Sequence, residues 1–362
     1  MTKTDARAGI VVAGQQAEHD YLLLRGYFGE EAAGQVLAEL DIEQAQQLKR
    51  NKFSLLPGGH RLDDNLRING AVGRLAAEQQ ANHQRWQQLV AVVSKLLERL
   101  DTSYVLMKAL HSPFAMMSDV DLLVPQPLDI ARIACELEAA GFALYRFRLL
   151  AHPLKVMAAP VEQSLKGSPT VDLYPDAMWI RKHVLDGPGV IARRCRQCVR
   201  GVSIWTPCPE DDLYLVATHA FAHGNITLAE LDHGARLIRQ EAFDWSRVLR
   251  SAAAFGCQDA VYAYLRILEC VCNSVGLESG CPARVIAELE FNSACRAIQR
   301  WLDRTEQALI LPVRVPLWPG TVRSAAYHLP VVRQRIRWSE WIMDGATYGL
   351  NIGVHLLRRG WS

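Results

Sequence analysis

The chain lacks any apolar run of about eighteen residues, which argues against a membrane-spanning helix. Its first residues lack a basic start followed by an apolar stretch, so no secretory leader is read there and a cytoplasmic location is expected. Neither charge is in real excess: 40 Lys and Arg face 38 Asp and Glu. That balance offers no global basic surface for non-specific nucleic-acid binding. The nine cysteines are an odd number spread through 362 residues. Cys135, Cys257, Cys270 and Cys295 fall in apolar helical settings and read as reduced core residues, not as a disulfide framework. Internal repeats and low-complexity linkers are missing too. What the chain does have is apolar material. At 50% hydrophobic it can build cores for two domains or three small units.

Residues 17–50 carry helical spacing, and Pro57-Gly58-Gly59 breaks it. A long helix is predicted from about Ala71 to Leu100. The texture then changes. Strands are predicted at Ser103 to Met107, Asp119 to Val124, Phe142 to Leu150, Leu154 to Ala158 and Val171 to Tyr174, with a helix from Leu128 to Ala140. From Pro209 onward the chain is helical again, and Pro209-Glu210-Asp211-Asp212 suits a first helical turn. The expected class is α+β, a small mixed sheet between helical N-terminal and C-terminal parts. The expected boundaries are a helical region over 1–102, a sheet-bearing core over 103–206, a helical domain over 207–310 and a Pro/Trp/Arg-rich segment over 311–362.

Asp119 and Asp121 stand one residue apart at the head of an apolar run, Ser118-Asp119-Val120-Asp121-Leu122-Leu123-Val124. In a strand, side chains repeat with period two, so both project from one face. Like charges on one strand face repel, and strands are poor in Asp. An edge strand with a solvated face is the plain reading of such a pair. Asp172, in Val171-Asp172-Leu173-Tyr174, adds a third carboxylate on a second strand. Three carboxylates on neighbouring strands suit one or two hard divalent cations, which prefer oxygen ligands. Asp176 follows Pro175 and reads as a turn residue.

These segments, in this order and preceded by Val105-Leu106-Met107-Lys108-Ala109, resemble the DNA polymerase β-like nucleotidyltransferase superfamily. More closely, they look like a poorly characterised group of bacterial nucleotidyltransferases. The likeness continues through Pro209-Glu210-Asp211, His219, His223, Leu231-Asp232 and Asp244-Trp245. It implies a metal-dependent enzyme that moves a nucleoside monophosphate from an NTP to an acceptor hydroxyl. Mg²⁺ or Mn²⁺ would be the cofactor, held by Asp119, Asp121 and Asp172. Lys108, with Ser112 and Ser118, would bind the nucleotide. His219, His223 and Asp232 would line an acceptor or phosphate pocket. The acceptor, whether small molecule, protein side chain or RNA end, is left open. Lys108 is followed by Ala109-Leu110-His111-Ser112, without the glycine turn usual in the superfamily. That departure keeps a second reading open: a catalytically silent protein of the same fold that binds a nucleotide or a partner.

Other motifs carry rival readings. His219 and His223, at i and i+4, share a helix face. Ala220 replaces the glutamate that a metalloprotease helix needs, so that class is excluded. A zinc site with Asp232 or His233 and a purely structural role both remain open. Cys195-Arg196-Gln197-Cys198, crowded by Arg193 and Arg194, is a lone C-x-x-C whose thiols the arginines would activate. Arg333, Arg335, Arg337, Trp338 and Trp341 suit either a base-stacking or membrane-surface segment, or a packed C-terminal helix. Lys166-Gly167-Ser168-Pro169 precedes a strand instead of opening a helix and reads as a turn.

Overall fold

A computed structural model describes residues 42–50, 52, 70–110, 115–117, 119–146, 156–160, 169–179, 182–199, 201–274, 277–290, 293–305 and 313–314. Ser112, Ser118, Pro57-Gly58-Gly59, residues 17–41, Lys166 to Ser168 and the Trp/Arg segment lie outside the described residues.

Two helices lead into the sheet, α1 (Ile42–Arg50) and α2 (Gly70–Arg99). Along α2, Trp86, Leu89, Val90, Val93 and Leu97 form a buried stripe at three- and four-residue spacing. Next come β1 (Val105–Met107), β2 (Asp119–Leu123), α3 (Pro127–Ala139), β3 (Phe142–Arg146), β4 (Val156–Pro160) and β5 (Thr170–Tyr174). The sheet order is β1-β2-β5-β4-β3. β2 and β5 run parallel, and the other neighbours are antiparallel. A parallel pair needs a long crossover. Here α3 and the β3–β4 pair provide it.

Alternation assigns the two faces. Leu106, Val120, Leu122, Val171 and Leu173 pack with the α2 stripe and with Ile130, Ile133 and Leu137 of α3. Burying each such side chain contributes roughly 1.5–3 kcal/mol. The opposite face carries Asp119, Asp121, Thr170 and Asp172. Its apolar members, Met107, Leu123 and Tyr174, join a second core built with the C-terminal helices. A one-residue slip of β2 would bury the aspartates against α2 and turn Val120 and Leu122 outward. The apolar face therefore fixes where the acids sit.

Two hairpins follow that the sequence reading missed: β6 (Ala177–Trp179) with β7 (Lys182–Leu185), and β8 (Cys195–Val199) with β9 (Val202–Thr206). The short helix α4 (Gly187–Ala192) joins them. Then come α5 (Pro209–Ala222), β10 (Asn225–Ile226), α6 (Leu228–Ile238), α7 (Trp245–Ala254), α8 (Gln258–Ser274), α9 (Ala283–Glu290), α10 (Ser293–Thr305) and β11 (Val313–Arg314), which pairs with β10. Pro209 opens α5, and three buried acids follow it. Glu210 accepts from the Asp244 backbone N–H at 2.9 Å, Asp211 from Arg193 Nε at 3.0 Å, and Asp212 meets His233 Nε2 at 3.0 Å.

All nine cysteines are free thiols. Cys257 and Cys295 are buried as expected, Cys270 is half-buried, and Cys135 is exposed, contrary to its reading as a core residue. Among the described residues no helix is long and apolar enough to cross a membrane.

Candidate active site

The register of β2 on β5 sets Asp121 beside Asp172 and Asp119 beside Thr170. The sequence-predicted trio thus shares one sheet face. Asp121 and Asp172 are only 7% and 4% exposed. Two carboxylates side by side on adjoining strands repel, and burial worsens the cost. Lys108 offsets it. Its Nζ lies 2.9 Å from Asp121 Oδ2. Thr170 Oγ1 donates to Asp119 Oδ1 at 2.9 Å, and Trp86 Nε1 donates to the Asp119 carbonyl at 3.0 Å. The latter bond ties the head of β2 to the long helix.

Lys108 stands in the turn after β1 with φ 53°. A left-handed conformation costs a non-glycine residue roughly 1–2 kcal/mol. The backbone thus turns at Lys108 itself, without a glycine there. Its ammonium sits 5.0 Å from the Trp179 ring centroid and 5.7 Å from that of Tyr174, both within cation–π range. Tyr174 also hydrogen-bonds Asp121, and burial, then Asp121 and Asp172, push its phenol pKa well up. It is a neutral donor at any working pH.

The C-terminal part closes the site through α5. His219 Nε2 lies 3.4 Å from Lys108 Nζ. An ammonium group has no lone pair to offer, so Nε2 accepts and the ring proton belongs on Nδ1. His219 stands edge-on to Trp179, with ring centroids 5.0 Å apart, and the His223 ring lies tilted by 55° at 4.4 Å from His219. Trp179 Nε1 donates to Thr218 Oγ1 at 3.0 Å, which pins the β6 strand to α5. Burial, then Lys108 and Lys52, lower the pKa of His223 to about 4. Its imidazole is neutral at pH 7.

Two residues that the sequence reading passed over complete the constellation. Lys52 reaches in from beyond α1 and places Nζ 2.8 Å from Glu230 Oε1. Glu230 is buried and also accepts from the Thr227 backbone N–H at 2.9 Å and from Thr227 Oγ1 at 2.8 Å. Thr227-Leu228-Ala229-Glu230 is a capping box, a signal legible in the sequence. Lys52 carries no such local signature. Crowding by neighbouring atoms works against its ammonium although 43% of the side chain stays exposed, but Glu230, then Asp121 and Asp119, outweigh that and raise its pKa.

Asp232, expected beside the histidines, is held instead by Arg236 at 3.1 Å. His233 is fully buried against Asp212. The zinc reading loses both of its extra ligands in this way. The C-x-x-C reading fails on geometry, because residues three apart on β8 face opposite ways. Nor do the arginines activate Cys195: burial, then Glu210 and Asp211, raise its pKa.

Among the described residues no three His, Cys, Asp or Glu side chains are grouped tightly enough to hold a metal ion. The donor chemistry nevertheless fits a hard cation. Mg²⁺ is commonly held by one or two carboxylates together with substrate phosphates, and Asp121 and Asp172 stand in register for that. Counted formally, the carboxylates of Asp119, Asp121, Asp172 and Glu230 outnumber the ammonium groups of Lys52 and Lys108 by two charges, those of one divalent ion.

A small mixed sheet with paired acids on one face, backed by helices, is the scaffold of a nucleotidyl-transfer protein. A family model described as "Uncharacterised nucleotidyltransferase" matches residues 69–273, and the chain belongs to that family. No curated protein matches the chain.

Proposed function

We propose that the protein is a metal-dependent nucleotidyltransferase that moves a nucleoside monophosphate from an NTP to an acceptor hydroxyl. The observation that carries this reading is the in-register pair Asp121 and Asp172, with Asp119 on the same face and Lys108 on Asp121. Asp121 and Asp172, with Asp119, would hold Mg²⁺ or Mn²⁺, which when bound neutralises phosphate charge and acidifies a bound hydroxyl. Lys108 meets the triphosphate as a fixed point charge, held by its aromatic walls and by His219. Asp172 takes the proton of the acceptor hydroxyl. The acceptor oxygen bonds to the α-phosphorus as the bond to the β-phosphate oxygen breaks, and pyrophosphate leaves. The acceptor would enter between the sheet face and the His219–His223 end of α5, where two parts of the chain meet.

The test is calorimetric titration of ATP, GTP, CTP and UTP with Mg²⁺ against wild type and Asp119→Asn/Asp121→Asn. Metal-dependent binding of one NTP, lost in the variant, is the expected result. No NTP binding by folded wild type would overturn the reading.

A further inference from the structure

Lys52 lies outside the matched family region, yet its side chain ends at the candidate active site. It is placed firmly. Ala45 and Leu48 of α1 are buried in the same core as Val72, Leu75 and Ala76 of α2. The Lys52 carbonyl accepts from the Met116 backbone N–H at 2.6 Å, three residues before Asp119. The backbone at Lys52 is left-handed, with φ 55°. Among the described residues only Lys52, Asp101, Lys108 and Ala242 are non-glycine with positive φ, so both lysines of this site are among them. Strained backbone of this kind gathers where side-chain placement matters.

The chemistry of the arm is that of an anion receptor. The Lys52 side chain is 43% exposed while Glu230 is 4% exposed, so one partner is free to exchange and the other is not. Glu230 Oε2 is locked by Thr227, leaving Oε1 for the lysine. The Lys52 backbone is tied to Met116 at the entry to β2, and its ammonium lies within electrostatic reach of Asp121, Asp119 and His223, while the Lys108 ammonium lies within such reach of His223. One ammonium on a buried glutamate, and another on Asp121 beside Asp172, offer the mix of cations and carboxylates that suits a phosphate chain with its metal.

Building on the nucleotidyltransferase reading, we propose that Lys52 is a second phosphate-binding residue, held ready by Glu230 and contacting the phosphates that depart as pyrophosphate. The N-terminal segment thereby adds a second lysine to a site to which, among the described residues, the family region brings Lys108.

The experiment measures calorimetric affinities of the full chain for NTP·Mg²⁺, pyrophosphate·Mg²⁺ and the matching nucleoside monophosphate. The variants are Lys52→Met, Lys52→Arg and Lys52→Met/Glu230→Gln, with thermal melting recorded for each. Losing one charge-assisted contact should weaken NTP and pyrophosphate binding by about tenfold or more. Monophosphate binding should hold, and Lys52→Arg should restore most of the loss. The double variant strands no buried carboxylate and should lose the same phosphate affinity. Wild-type NTP binding with an unchanged Lys52→Met affinity overturns the role of Lys52 alone, as does tighter binding, which would mark the lysine as a blocking contact. Absence of NTP binding in folded wild type overturns the underlying reading as well.

Discussion

Acid should destabilise this protein through His223, and the size of the effect follows from its surroundings. Burial and two neighbouring lysines bring its pKa to about 4, against about 6.5 for an unperturbed imidazole. A lowered folded-state pKa means the unfolded chain binds the proton first. The stability is therefore complete above the unfolded pKa and drains as pH falls through about 6.5 toward 4. The full shift at about 1.4 kcal/mol per pKa unit would be about 3 kcal/mol, but the His223 side chain is exposed and solvent screens it, so the loss expected between pH 7 and pH 4 is about 1 kcal/mol from this residue. Carboxylates elsewhere titrate in the same window, so the comparison must be differential. Urea denaturation of wild type and His223→Gln at pH 7, 6, 5 and 4 should show a shallower decline in the variant by about that amount. NMR titration of the His223 ring protons supplies the direct check. A midpoint near or above the ordinary histidine value, or parallel stability curves for the two proteins, would refute the assignment of an imidazole held neutral by its lysine neighbours.

Three further outcomes are expected. Lys108→Met removes the ammonium ion-paired with the buried Asp121 and should lower unfolding free energy by about 3 kcal/mol, with much of it recovered in Lys108→Met/Asp121→Asn. Additive losses in that cycle would contradict the pairing. Gly234→Ala would put a Cβ 3.0 Å from Cε1 and Cζ of Tyr264, whose hydroxyl donates to the Glu230 carbonyl. Denaturant melts should show roughly 1–3 kcal/mol of destabilisation, and an unchanged midpoint would contradict the packing. Alkylation of native protein followed by mass spectrometry should modify Cys135 and Cys198 first. Cys208, whose pKa burial raises to about 12, should resist, and early labelling there would argue against its buried thiol.

The acidic face was legible because period-two alternation leaves little freedom: Val120 and Leu122 must face one core, so Asp119 and Asp121 face the other way. The His219–His223 pair was legible for the analogous helical reason. The strand of Asp172 was expected as a neighbour, but its register was not legible, since the pairing of Asp121 with Asp172 crosses about fifty residues and depends on the crossover between them. Asp232 entered through the likeness to the nucleotidyltransferase group, and no local pattern singled out Glu230 as the acid that meets Lys52. The capping box did mark Glu230 as an organised residue. Lys52 had no such mark. Its role rests on tertiary contacts with Met116 and Glu230, at sequence distances no local pattern reports. The two hairpins between Ala177 and Thr206 were missed because their strands are only three to five residues long.

The three acids at the start of α5 have a mechanical consequence. Each grips a different neighbour: Glu210 the start of α7, Asp211 the end of α4, Asp212 the middle of α6. From Asp212 to His219 the helix rises about 10 Å. α5 therefore behaves as a clamped beam, anchored at one end and carrying its imidazoles at the other. Any change that loosens the clamp, even one far from the carboxylates, would be transmitted along the beam as a displacement of His219 against Lys108.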